Sequence, residues 1–201
     1  MNMDVDGDTF LWADIERLVK KYAIETIIET GTYLGNTAKK FSTLADVITC
    51  EVKPEFYDSA VKNIGKNEKV LALLGNSVDM LRKNADKFKD KRVLFFLDAH
   101  WYDYCPLLDE LKLIADLKMQ PIIVIHDFKV PGKDFGYDQY HGRAFDYALV
   151  ELHLRAIYGN HYGKEGFSYH YNTESDGPRR GCIFIVPRKE MTRGENNAAS
   201  H

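Results

Sequence analysis

Several things are scarce in this sequence. Only three of its 201 residues are cysteine, Cys50, Cys105 and Cys182; they are too few and too scattered for a disulfide framework or a zinc knuckle. Basic charge is not in excess: 27 Lys and Arg stand against 30 Asp and Glu, a formal net charge of −3. That balance gives no global positive field for a nucleic-acid backbone. No apolar run approaches the roughly 18 residues of a membrane span. The opening Met1-Asn2-Met3-Asp4-Val5-Asp6 lacks the basic-then-apolar order of a secretory signal. Internal repeats are missing too. The expectation is a soluble, cytoplasmic chain with reduced thiols and no nucleic-acid or membrane partner. At roughly 150 residues per domain, it reads as one domain over 1–187, followed by an aperiodic, disordered tail over 188–201.

What is present is a regular alternation of two periods. Leu11, Ile15, Leu18, Val19 and Tyr22 recur at three and four residues, a helix with Thr9 or Asp8 as its cap. The β-branched run 24–29 stops at Gly31, and a short helix from Gly35 to Phe41 leads into a second strand over 46–51. Pro54 suits the first position of a helix closed by Gly65. A third strand over 70–74 ends at Gly75; Ser77 then caps a helix with Val78, Leu81, Ala85 and Phe88 on one face. The fully apolar run 93–97 is a fourth strand, Pro106 opens another helix, and 121–125 is a fifth strand. Strands alternating with helices predict a doubly wound, mostly parallel α/β sheet of Rossmann-like type, because parallel neighbours need crossover connections and both faces covered. Beyond it, 128–142 reads as a long irregular loop. A helix follows with Phe145, Ala148, Leu149, Leu152 and Ala156 inward. Strands near 167–171 and 182–186 form a closing antiparallel hairpin, giving seven strands in all.

Ligands of open parallel sheets bind outside the carboxyl ends of the strands, where strand order reverses. The residues there are Glu29-Thr30-Gly31, Glu51-Val52, Gly75-Asn76-Ser77, Asp98-Ala99-His100-Trp101 and His126-Asp127. Apolar strands that end in acids or glycine point to a small-molecule site. The first loop, Glu29-Thr30-Gly31-Thr32-Tyr33-Leu34-Gly35-Asn36-Thr37, has neither the glycine spacing of a dinucleotide fingerprint nor a Gly-Lys-Ser/Thr ending. An acid before the first glycine repels pyrophosphate and favours an ammonium group. Gly31 allows close backbone approach, and the helix after Gly35 presents N–H groups to a carboxylate. Glu51 is placed to accept the hydroxyls of a ribose. An amino acid plus a nucleoside, without phosphates, describes S-adenosylmethionine.

The run Glu29-Thr30-Gly31-Thr32-Tyr33-Leu34-Gly35 resembles the first motif of class I S-adenosylmethionine-dependent methyltransferases, and Glu51 is similar to their ribose-binding acid. The order of elements from about residue 9 to 187 resembles the same family. Leu97-Asp98-Ala99-His100-Trp101 and Ile125-His126-Asp127 resemble the small O-methyltransferases typified by catechol and macrocin O-methyltransferases. The resemblance implies that Asp98 and Asp127 bind a divalent cation such as Mg²⁺ and that Trp101 packs on the adenine. It also implies a cofactor cradle of Glu29, Gly31, Thr32, Tyr33, Gly35, Asn36, Thr37, Glu51, Asn76, Ser77, Asp98 and Trp101. Three departures stand beside it. Asp127-Phe128 replaces the catechol-type Asp-Asn, Tyr102 stands where their lysine follows the tryptophan, and Ala99 separates Asp98 from His100.

The expected reaction is methylation of a small-molecule hydroxyl, and two routes stay open. Either Asp98 and Asp127 hold a hard cation that acidifies the acceptor, or His126 or His100 removes the proton directly. Competing readings are an NAD-linked oxidoreductase on a similar sheet and a non-catalytic adenosyl-binding module. Phe135, Tyr137 and Tyr140 are expected to shape an acceptor pocket or to form a lid. Arg179 and Arg180 read as solubilising residues of the hairpin turn. His141, His153, His161 and His170 read as surface or packing residues. A homo-oligomer through the edge hairpin is compatible with the pattern.

Overall fold

In a computed structural model, residues 7–99, 104–161 and 164–188 are described. Seven strands make the main sheet: β1 (Thr26–Thr30), β2 (Asp46–Glu51), β3 (Val70–Leu74), β4 (Val93–Leu97), β5 (Ile122–Ile125), β6 (Phe167–Tyr171) and β7 (Ile183–Pro187). Their spatial order is β3-β2-β1-β4-β5-β7-β6. The pairs from β3 to β5 are parallel, and β7 runs antiparallel to both β5 and β6. The expected hairpin is therefore present, with β7 inserted beside β5 and β6 at the sheet edge. Two-residue ladders, Gln139–Tyr140 with Arg143–Ala144 and Asn160–His161 with Lys164–Glu165, lie outside the sheet.

Among the described residues, six helices cover the two faces: α1 (Thr9–Lys21), α2 (Asn36–Phe41), α3 (Pro54–Ile64), α4 (Ser77–Lys83), α5 (Leu107–Asp116) and α6 (Tyr147–Tyr158). Alternation along the strands divides the core. Ile27, Val47, Leu94, Phe96 and Val124 meet α1, α2 and α3 on one side. Ile28, Ile48, Phe95, Leu97, Ile123 and Ile125 meet α4, α5 and α6 on the other. Both layers exclude water, which is why the central strands read as continuous apolar runs; each large side chain so buried contributes about 1.5–3 kcal/mol.

Three local expectations need correction. α4 is capped by Asn76, whose Oδ1 accepts from the Val78 and Asp79 amides, and not by Ser77. α4 also ends at Lys83, with a 3₁₀ turn over Ala85–Lys87. There Asn84 donates its side-chain amide to the Met80 carbonyl, a back-bond that competes with helix continuation. In α6 the buried face is Val150, Leu154, Ile157 and Tyr158, whereas Leu152 is 77% exposed and Ala148 and Ala156 are exposed. The helix is apolar nearly all round, so periodicity alone does not fix which stripe meets the sheet. Of the tail expected over 188–201, Arg188 is tied to the sheet edge through Gly166 O and Phe167 O, and residues 189–201 lie outside the described residues.

Candidate functional site

Strand order reverses between β1 and β4, and the registers place Thr30 opposite both Cys50 and Leu97, and Leu97 opposite Ile125. Four strand ends thus open at one level. Above them lies a cavity of about 500 Å³ lined by the loop residues Gly31, Thr32, Tyr33, Asn36 and Thr37, by Glu51, Phe56 and Ser77, and by Asp98 and Asp127, among others. Its position is the switch point expected of this fold.

The loop from β1 is built for close approach. Gly31 has φ +90°, and a Cβ there would come within 2.9 Å of the Asp98 carbonyl oxygen. Tyr33 also takes a positive φ of 48°, uncommon for a residue with a side chain. This turns its amide onto Glu51 Oε2 at 2.8 Å. Glu51 Oε1 accepts from the Val52 and Lys53 amides, both at 2.9 Å. Three backbone N–H groups therefore fix one buried carboxylate at the cavity wall. The Tyr33 ring meets Phe56 edge-on at 4.7 Å between centroids, forming an aromatic wall at the start of α3. Phe56 was not anticipated; its position in the first turn after Glu51 is the signal that marks it.

Glu29 is placed differently from the expectation. It is 1% exposed and does not line the cavity. Thr49 Oγ1 donates to its Oε2 at 2.6 Å, and the Thr49 hydroxyl is 2.5 Å from that of Thr32. Burial, reinforced by Asp98 and Glu51, pushes Glu29 up to about 8 against the opposing Thr49 hydrogen bond. Glu29 supports the loop from beneath. Gly35 is likewise structural, since a Cβ there would crowd Ala60 and Ile64 between α2 and α3. Asn76 acts as the α4 cap.

A second buried acid was also missed. Glu110 on α5 is 1% exposed, bonded by the Ser77 hydroxyl, and pushed up to about 7, chiefly by burial. Its place in the inward stripe of Leu107, Leu111 and Ile114 was the available clue. With Asp98, His126 and apolar neighbours it encloses a void of about 10 Å³, the size of one water at most.

At the ends of β4 and β5, His126 Nδ1 is 3.0 Å from Asp98 Oδ1 and 3.4 Å from Asp127 Oδ1. His126 is buried beneath the cavity and Asp98 lines it. His100 and Trp101, expected as base and adenine partner, lie outside the described residues. Arg180 is not a solubilising residue. Its Nε donates to Asp127 Oδ1 and its Nη2 to Asp138 Oδ1, both at close range. The loop 128–142 is tied down by main-chain bonds, Phe128 N to Gly181 O at 2.8 Å, Asp138 N to Asp127 O at 2.9 Å and Gly136 N to Arg179 O at 2.8 Å. Phe135, Tyr137 and Tyr140 are not among the residues that line the cavity. These bonds strap the loop to the end of β5 and to the hairpin turn.

Asp98, His126 and Asp127 bring one ligand atom each within 4.8 Å of one another, which invites comparison with a cation site. The donor set fits a hard divalent ion poorly. Such ions take six or more oxygen ligands. Here one donor is an imidazole nitrogen already set against Asp98, and the Asp127 oxygen already receives a guanidinium. Phe128, in the position of a further oxygen ligand, is fully buried and stacked on Tyr171 at 6.3 Å.

No protein-family model and no curated protein matches the sequence. Solved structures match the fold. An O-methyltransferase from Bacillus cereus in complex with S-adenosylhomocysteine aligns with a TM-score of 0.61 at 17% identity, over 87% of this chain and 79% of that one. A putative caffeoyl-CoA O-methyltransferase from Staphylococcus aureus aligns at 0.58 and 16% identity, over 90% and 84%. An O-methyltransferase of tomaymycin synthesis from Streptomyces achromogenes, in complex with S-adenosylmethionine, aligns at 0.57 and 14% identity, over 86% and 77%. What the chain shares with them is the Rossmann-like fold.

Proposed function

We propose that the protein is an S-adenosylmethionine-dependent O-methyltransferase acting on a small-molecule hydroxyl. The observation that carries the reading is the Glu51 carboxylate, fixed at the cavity wall by three amides and standing one strand away from the Gly31 loop. That pairing suits a nucleoside diol beside an amino-acid head. The fold neighbours bound to S-adenosylmethionine or S-adenosylhomocysteine support it.

Bound there, S-adenosylmethionine supplies an electrophilic methyl group on a sulfonium. Glu51 would hold the ribose hydroxyls, Tyr33 and Phe56 the base, and Asn36 and Thr37, at the start of α2, the carboxylate. The Gly31 loop, with Asp98 beside it, would take the ammonium end. Glu29, the earlier candidate for that contact, acts by holding Thr49 and Thr32 beneath the loop. Asp98 also takes the acceptor's hydroxyl proton, and His126 Nδ1 at 3.0 Å orients it. Holding donor and acceptor in line is the larger contribution, because the displacement itself asks little else of the protein.

Isothermal titration with S-adenosylhomocysteine tests the reading. Saturable binding at micromolar concentration is expected, weakened roughly tenfold or more in Glu51→Ala. A folded wild-type chain that gives no heat would sink it.

A further inference from the structure

We infer that the Arg180 guanidinium occupies the place of a divalent cation on Asp127, so that the acid cluster at the ends of β4 and β5 works without a metal. The inference deepens the methyl-transfer reading and depends on it for the reaction, while its structural half stands on Arg180 alone.

Five observations converge. Arg180 donates through two different nitrogens to two different carboxylates, Asp127 and Asp138, 53 and 42 residues away in the chain. The acceptor on Asp127 is Oδ1, the same atom that faces His126 Nδ1 at 3.4 Å. The cation's side of the acid is therefore the guanidinium's side. Next, Gly136 makes room for the arginine. A Cβ there would come within 2.9 Å of Arg180 Nη1 and 3.1 Å of its Cδ, so the loop lacks a side chain just where the guanidinium lies. The backbone also clamps the arginine from both sides: Gly136 N donates to Arg179 O at 2.8 Å and Gly181 N to Gly136 O at 2.9 Å. Finally, Asp127 is held in a left-handed conformation, φ +55°, with its carbonyl accepting from Asp138 N. Strain of this kind persists only where surrounding contacts fix it, and the Arg180 clasp supplies them.

A guanidinium is a permanent charge with a planar fork of donors, matched to two carboxylates at once. It neutralises Asp127 as a cation would, but it offers no open position to an acceptor oxygen. A divalent ion beside it meets like charge and finds the Asp127 oxygen already taken. Acceptor deprotonation then falls to Asp98, with Arg180 as a positioning residue that fixes Asp127 and, through it, His126.

The experiment measures binding of Mn²⁺ alone by electron paramagnetic resonance, on the full chain and without turnover. Mn²⁺ suits carboxylate ligands and reports directly on their capture. Wild type is expected to show no saturable binding below about 1 mM. Arg180→Gln, which exposes the Asp127 oxygen, is expected to bind at least about tenfold more tightly. Adding Asp98→Asn to that variant should remove the gain. Gly136→Ala is the second variant, for the event that Arg180→Gln does not fold; it displaces the guanidinium while retaining it, and an intermediate gain is expected. Micromolar binding by wild type overturns the inference, and so does the absence of any gain in folded variants. Failure here leaves S-adenosylhomocysteine binding untouched, whereas failure of the methyltransferase reading appears in that titration and not in the Mn²⁺ spectra.

Discussion

The α-carbon of Gly31 faces the main chain of Asp98 so closely that a methyl group on it would stand 2.9 Å from the Asp98 carbonyl oxygen and 3.2 Å from the carbonyl carbon. Both obstacles are backbone, and the φ of +90° is itself unfavourable for any other residue. Gly31→Ala is expected to cost about 1–3 kcal/mol and to push the β4 exit, with Asp98, away from the loop. Urea denaturation checks the first effect, and titration with S-adenosylhomocysteine the second. Wild-type values in both would show that the two segments separate freely.

Glu51 offers a sharper test than truncation. All three of its protein partners are N–H donors, and two of them share Oε1. Gln in its place must turn an NH₂ group toward at least one of those amides. Losing one such bond in a buried setting costs about 1–3 kcal/mol. Glu51→Gln is therefore expected to lower the melting temperature as well as to weaken adenosyl-ligand binding, despite its equal size. A variant as stable as the parent would mean that the amides find other partners.

The sheet was legible because parallel strands, covered on both faces, must be continuously apolar, as 93–97 and 122–125 are. The strand-end acids were legible because little else places charge at the end of such a run. Which acid faces the cavity was not legible. Glu29 pairs with Thr49 in the ladder, one rung below the paired Thr30 and Cys50, whereas Glu51 stands one rung above them. Register between strands separated by a helix is set in three dimensions. The same holds for Arg180: its partners lie in two distant loops, and two arginines in a turn look like any solvated turn. Glu110 was readable in principle, as an acid in an inward stripe.

Leu152 is exposed and Leu154 is fully buried against the sheet, although the two lie within two residues on a helix apolar around most of its circumference. Leu154→Ala is expected to cost about 2–5 kcal/mol through lost burial and a cavity. Leu152→Ala should change stability by no more than about 0.5 kcal/mol. Equal losses at both positions, measured by urea midpoint, would place the inward face elsewhere.

Two buried acids give the fold a dependence on pH whose sign is opposite to that of a salt-bridged carboxylate. Burial raises Glu29 from its ordinary 4.5 to about 8 and Glu110 from 4.5 to about 7. Between those values the folded chain keeps protons that the unfolded chain has already released. Stability contributed by the neutral acids is thus complete below the ordinary value and falls as pH rises through the window. Above the folded value the deficit becomes constant, because both states are then ionised. Each unit of displacement corresponds to about 1.4 kcal/mol, so the loss per group is on the order of 2–5 kcal/mol. The wild-type melting temperature is expected to fall from about pH 5 to about pH 8. Glu29→Gln should flatten that slope, since its carbonyl still accepts from Thr49 and nothing remains to ionise. Glu110→Gln should flatten the lower part of the window, ending nearer pH 7. Melting curves in buffers of matched ionic strength decide the matter; a wild-type profile that rises toward pH 8, unchanged in both variants, would mean that water reaches these carboxylates and that the floor beneath the cavity is open.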